Sequence, residues 1–298
     1  MKKFTIAAIM AVASVAATAQ VSLTGKVSQW MDNTTTGTSR VQGMTTEPTS
    51  NFAIGVKEDL GGGLSARAML ETSLSGNTIG GTGTQIGDRQ STVGLANKLG
   101  SIDLGRNVHS QFLAVTTNDA FGTLYGSIAG DVHNLRGLRF SNGTFVTVTP
   151  MKGVTAGWDR SNNAPGTADQ TSYSLGAQVG PLNAVVARFQ QGAAETSDVI
   201  GANASFGPTT VFYSHSDNKS ATAGETKKGD LVGVAQKMGV VTVKASYGKT
   251  NTDVKAYNLG VDYALGKRTT VGVAYRDVDA AGSAHDIKQL GVGLTLLF

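Results

Sequence analysis

The chain has 298 residues, 39 glycines, five prolines, no cysteine and a formal charge of +4. Without cysteine there is no disulfide framework, so stability must come from packing and hydrogen-bond ladders. The near balance of charge, with no basic run interleaved with aromatics, argues against nucleic acid as a partner.

The first element is a leader. Lys2 and Lys3 precede an apolar run from Phe4 to Ala17, and Ala17-Thr18-Ala19 supplies a small-x-small cleavage pattern. This predicts a signal peptide over residues 1–19, followed by a single mature domain from Gln20 to Phe298. Removing Lys2 and Lys3 leaves 23 basic against 21 acidic residues. After Ala19 no stretch approaches the roughly 18 consecutive apolar residues of a spanning helix. A membrane location would therefore require a closed β-barrel.

From Val21 onward, about sixteen short segments alternate apolar and polar residues, as strands do. Clear cases are Ser65–Leu74, Tyr173–Val179, Val240–Tyr247, Ala256–Leu265 and Thr269–Val278. Tight glycine turns (Leu60-Gly61-Gly62-Gly63, Leu99-Gly100-Ser101, Gly180-Pro181, Gly207-Pro208, Met238-Gly239, Gly266-Lys267) alternate with polar intervals at Asp32–Ser50, Ser75–Asp88, Ser161–Gln170 and Asp217–Gly229. Short turns on one rim and longer loops on the other suit an outer-membrane barrel. A soluble sandwich gives the same strand alternation but has no need of that asymmetry. Between Ile102–Arg106 and Phe145–Thr149 lies a long segment without clear period, the kind of connection that is usually functional. In a wide barrel its natural place is inside the lumen, with a long external loop as the alternative. The last strand, Leu290 to Phe298, places Leu290, Val292, Leu294, Leu296 and Phe298 on one face and Gly291, Gly293 and Thr295 on the other. That face suits closure of a barrel against lipid.

Parity divides the charges. Lys26, Lys57, Arg67, Arg188, Lys244 and Arg276 are expected in the lumen, with Glu71 and Asp262 as interior acids. A wet lumen costs such charges little, whereas Arg or Lys facing lipid at mid-depth costs about 2–4 kcal/mol. Trp158, Tyr213, Tyr247, Tyr263, Tyr275 and Phe298 are candidates for interfacial girdles.

Several stretches resemble general porins of the beta-proteobacterial type. Ser50-Asn51-Phe52-Ala53-Ile54-Gly55-Val56-Lys57-Glu58-Asp59-Leu60-Gly61-Gly62-Gly63-Leu64 is similar to the family's early hairpin. Asp88-Arg89-Gln90-Ser91-Thr92-Val93-Gly94-Leu95 and Leu104-Gly105-Arg106-Asn107 resemble its paired strands before the constriction loop. Thr147-Val148-Thr149-Pro150 and Tyr263-Ala264-Leu265-Gly266-Lys267-Arg268-Thr269 resemble later turns. The resemblance implies an all-β fold, a sixteen-stranded antiparallel transmembrane β-barrel with an inward-folded constriction loop from Asn107 to about Asn142. It also implies a homotrimer among outer-membrane lipid and lipopolysaccharide, passing small hydrophilic solutes and ions by passive diffusion, with no cofactor. Barrel-assembly machinery would read the C-terminal signal of Leu294, Leu296 and Phe298.

The resemblance further implies arginines around the eyelet, two of them at Arg89 (or its neighbour Gln90) and Arg139; with Arg106 these are expected on the wall side, opposed by the loop acids Asp119 and Asp131. A third family position falls on Asn51, where the positive charge is missing, so only a weak anion preference is expected. Arg106 shares parity with Ile102 and Leu104, and its inward direction needs a bulge or the strand's end. An enzyme is not expected. His109, His133, His215 and His285 are scattered, and Gly126-Ser127-Ile128-Ala129-Gly130 misplaces the serine of a nucleophile elbow. A substrate-specific channel and a plugged structural or adhesive barrel remain the alternatives.

Overall fold

The computed structural model describes residues 19–75, 78–79, 85–133, 135, 137–162, 168–193, 195–220, 225–280 and 286–298. The leader expected over residues 1–19 lies outside them except for Ala19, as does His285.

Sixteen strands form one closed antiparallel sheet. They are β1 (Gln20–Thr36), β2 in two segments (Ser39–Thr46 and Asn51–Gly61), β3 (Leu64–Ser75), β4 (Gln90–Asn97), β5 (Gly100–Val108), β6 (Arg139–Met151), β7 (Val154–Ser161) and β8 (Gln170–Val179). The second half comprises β9 (Leu182–Gln191), β10 (Glu195–Phe206), β11 (Thr209–Ser220), β12 (Glu225–Met238), β13 (Val241–Thr250), β14 (Lys255–Ala264), β15 (Thr269–Asp279) and β16 (Ile287–Leu297). Each pairs with the next, and β16 returns to β1 from Thr36↔Ile287 to Lys26↔Leu297. The seam is finished by a reciprocal pair of hydrogen bonds between Gly25 and Phe298, at 2.9 and 3.0 Å. Closure gives each strand of the wall a neighbour on both sides, the Ser39–Thr46 segment alone being paired on one side only among the described residues, and such pairing is the condition for backbone to cross hydrocarbon.

Short turns at Gly61–Gly63, Gly153, Gly180, Gly207 and Gly239 occupy one rim, where positive φ makes glycine the low-strain choice. Two of the expected polar intervals are largely strand. Asp32–Ser50 is mostly a hairpin, because β1 runs on to Thr36 and pairs with Ser39–Thr46. Asp217–Gly229 likewise continues the β11–β12 ladder at both ends. Threonine, lysine and asparagine in these stretches mark solvated strand ends rather than loops.

Parity sorts the walls. Leu259, Val261 and Tyr263 of β14 are exposed on the outside, while Ala256, Asn258 and Gly260 are buried inside. The expectation fails for Arg188. In β9 it follows Leu182, Ala184 and Val186 on the outward row, where it pairs with Asp198 at 2.6 and 2.7 Å. It sits level with Tyr173, next to the Tyr173↔Trp158 pair, beyond the apolar part of the strand. There the outer face is already polar, so a charge is tolerated. Phe189, its neighbour, points inward to Phe140.

The packed core lies inside the barrel. The segment between β5 and β6 enters the lumen as α1 (Ser110–Thr116) and α2 (Ala129–His133). Ala114, Val115, Ile128, Ala129 and Val132 of this segment pack on Ala187, Val199, Leu231, Ala256 and Val278 of the wall. The constriction segment proper spans residues 109–138, shorter than Asn107 to Asn142, because β5 and β6 extend further than their alternation suggests.

Candidate functional site

The loop is fitted to the wall through glycines. A Cβ on Gly229 would lie 2.2 Å from the Val132 carbonyl oxygen, and one on Gly248 would lie 2.4 Å from Val132 Cγ2. Gly260 faces Phe121, Gly201 faces Asn118, Gly233 faces Ala120 and Gly291 faces Tyr125 in the same way. Strand glycines that merely look small in the sequence are thus the places where the loop approaches.

Polar contacts complete the attachment. His133 is buried, with its ring nitrogens 2.9 and 2.8 Å from the Ser216 and Ser214 hydroxyls. Burial, with a smaller effect from His215, pushes its pKa down to about 4. Gln111 donates to Ser197 Oγ (2.9 Å), and Ser110 N–H donates to Asp159 (2.6 Å). Tyr125 stacks on Trp30 at 4.0 Å and donates to Asp32 at 3.2 Å. Burial and the nearby Asp32 carboxylate hold the Tyr125 phenol well above its usual range.

The two loop acids do not face an arginine wall. Asp119 is buried, accepting from Phe121 N–H (3.1 Å), Thr123 N–H (2.8 Å) and Ser127 Oγ (2.6 Å). It shapes the loop's own turn. Asp131 pairs with Arg276 at 3.2 Å on the wall against which the loop is docked. Burial raises its pKa, opposed by Arg276 and Lys227. Sequence parity cannot foresee either, because a carboxylate in an irregular segment takes its direction from local N–H donors.

The arginines do gather, on the undocked side of the lumen. Arg89 pairs with Glu71 at 2.5 Å and donates to the Pro48 carbonyl at 2.6 Å. Asn51 also donates to Glu71 (2.8 Å). Arg106 donates to the Asp88 carbonyl (2.5 Å) and to Ser141. The β5–β6 ladder slips between Gly105 and Asn107, opposite Asn142 with its φ of 51°, which supplies the irregularity Arg106 needs. Arg139 feels the charges of Arg89, Arg106, Glu71 and Asp88, yet makes no ion pair among the described residues, and its buried Nε has no hydrogen-bond partner. Three guanidiniums therefore meet two carboxylates. Gln90 stands opposite Glu71 in the β3–β4 ladder but donates to Thr92 (3.1 Å) rather than to the cluster.

Toward the short-turn rim, Lys57, Arg67, Gln90 and Asp103 line a cavity of about 390 Å³, with Arg67 ion-paired to Asp103. Lys26 pairs with Glu47 and Lys244 with Asp262, both at 2.8 Å, and Lys244 lies 4.6 Å over the Phe121 ring. Sequence reading missed Asp88, Asp103, Glu47 and Asp32 as partners. Asp103 was within reach, since it stands between the outward residues Ile102 and Leu104.

The chain matches the Gram-negative porin family over residues 5–283. Outer membrane porin protein 32 of Delftia acidovorans is 30% identical over 345 aligned positions, spanning 98% of both chains. The anion-selective porin from Comamonas acidovorans superposes with a TM-score of 0.81 at 22% identity, covering 94% of this chain and all of the other. The trimer form of OmpT from Vibrio cholerae superposes at 0.70 with 14% identity, covering 94% of this chain and 99% of that one. The superpositions take in nearly the whole of the closed sixteen-stranded wall. The chain belongs to the Gram-negative porin family and is an outer-membrane channel.

Proposed function

We propose that this channel passes small hydrophilic solutes and ions by diffusion with a weak preference for anions. The preference arises at Arg89, Arg106 and Arg139. The observation that carries this reading is the excess of guanidinium over carboxylate there, with Arg139 lacking a carboxylate partner among the described residues. A basic lining lowers the barrier for anions. The anion-selective neighbour from Comamonas acidovorans supports it. Glu71 and Asp88, and the absence of charge at Asn51, keep the preference modest. Lys57 and Arg67 extend the positive lining toward the short-turn rim, and Lys26, Glu71, Lys244, Asp262 and Arg276 line the lumen as paired charges. No catalytic role enters this reading.

Arg139→Ala should lower the anion-to-cation permeability ratio roughly two- to fivefold, since one unpaired charge at a few ångströms is worth about 1 kcal/mol in wet surroundings. The readout is the reversal potential in a salt gradient across a planar bilayer. An unchanged potential would remove Arg139 from the selectivity machinery.

We infer also that the mature chain, Gln20 to Phe298, works as a homotrimer through β16 and β1–β6. All outward tyrosines and the outward tryptophan (Trp158, Tyr173, Tyr213, Tyr247, Tyr257, Tyr263 and Tyr275) stand on β7–β15. The outer face of β1–β6 carries Leu23, Ile54, Ala66, Ala68, Val93 and Leu104 instead. Rings at the headgroup level anchor a wall to lipid, and a ring-free aliphatic face with small residues at Ala66 and Ala68 suits wall-to-wall packing. The trimeric OmpT neighbour supports the same reading. Contact of the aromatic side with lipopolysaccharide, and reading of Leu294, Leu296 and Phe298 by the assembly machinery, belong to this proposal.

A further inference from the structure

The loop covers the wall from β7 round to β16 and β1, so its free surface looks across the lumen toward β2–β6, where the arginines stand. Among its described residues that surface carries no unpaired charge. Between Ser110 and His133 its exposed residues are Leu113, Thr117, Leu124 and Gly130, because Asp119 is turned into the loop and Asp131 is paired with Arg276. Leu113 is 49% exposed on the face of α1 opposite the buried Gln111, Ala114 and Val115. Leu124 is 37% exposed and borders a cavity of about 250 Å³ that it shares with Lys26 and Glu47. Thr49, two residues on from Glu47, accepts from Lys26 (2.6 Å), and Pro48 between them accepts from Arg89, so this apolar spot adjoins the arginine cluster.

The two sides of the opening thus differ in kind: guanidiniums on one, leucines on the other. Charges facing each other across an eyelet hold oriented water that an apolar solute must displace at a loss. Water over leucine makes no such bonds and is displaced at a gain. The geometry points to a channel that favours organic anions with an apolar body, monocarboxylates whose head lies on the arginine side while the hydrocarbon part slides over Leu113 and Leu124. This rests on the anion reading above and names the solute class of the same opening. Contact with one face of a six-membered carbon ring removes enough apolar area from water for a roughly five- to twentyfold advantage. It is weak enough that the solute still leaves.

Cyclohexanecarboxylate and a hexuronate make the test, since both carry one carboxylate on a six-membered ring and differ chiefly in hydroxyl groups. Flux into liposomes bearing the purified wild-type channel should be several-fold greater for cyclohexanecarboxylate, after subtraction of protein-free liposomes. The doubly substituted Leu113→Asn, Leu124→Asn channel keeps the width of the opening and should bring the two fluxes near parity, with the chloride-to-potassium ratio unchanged. Equal fluxes in the wild type, or an advantage untouched by the two substitutions, overturn the inference while leaving anion preference standing. A wild-type channel that shows no preference for chloride over potassium, yet keeps the leucine-dependent advantage, overturns the arginine reading alone.

Discussion

Gly229→Val should release the constriction loop and enlarge the channel. The new side chain does not harm the strand, since Gly229 lies in β12 at an ordinary φ and β-branched residues suit strands. It harms the fit of the loop. Its Cβ would stand 2.2 Å from the Val132 carbonyl oxygen and 2.9 Å from Val132 Cγ1. A backbone oxygen cannot swing aside as a side-chain tip can, so α2 must move as a body. Overpacking of this kind costs about 1–3 kcal/mol, and about 1.4 kcal/mol already changes the docked-to-undocked ratio tenfold. The contacts that α2 carries, His133 with Ser214 and Ser216 and Asp131 with Arg276, would be strained together. Single-channel conductance should rise and grow noisy, and the exclusion limit for sugars in liposome swelling should shift upward. Gly43→Val is the control, for a Cβ there meets nothing within 4 Å. Identical conductance and exclusion limit in the Gly229 variant would show that the loop is held elsewhere.

Acidification should loosen the same loop through His133. Burial, aided by His215 and Lys227 and opposed by Asp230, lowers its pKa to about 4 in the docked state, whereas a freed loop would carry an ordinary histidine near 6.5. Between those values the undocked form binds more protons. Docking stability is therefore fully present above about pH 6.5, and it falls as the pH drops toward 4, by an amount on the order of 3 kcal/mol in all. Asp131 works the other way, since its raised pKa makes the docked form the better proton acceptor there. Current fluctuations should increase as the pH is taken from 7 to 4. In His133→Gln, which stays neutral and can still bond both serines, that increase should vanish. A variant with the wild-type pH response would refute the role of His133.

Much of the architecture was legible locally. Period-two alternation marks strands because successive side chains alternate sides whatever the distant context, and tight glycine turns mark one rim because positive φ is a property of single residues. The same rule is what places Lys26, Lys57, Arg67, Lys244 and Arg276 in the lumen in our reading. Arg188 did not follow, because parity names two faces without saying at what height the outer one becomes wet.

The amino-acid sequence by itself determined the strands, their alternation and the difference between the rims, since each of these depends on neighbours along the chain. Only the tertiary structure decided which inner-wall positions are loop seats, why Val199, Leu231 and Val278 are apolar although they face the lumen, and where Asp119 and Asp131 point. Those outcomes depend on what packs against a residue from a hundred positions away, and alternation carries no record of that partner.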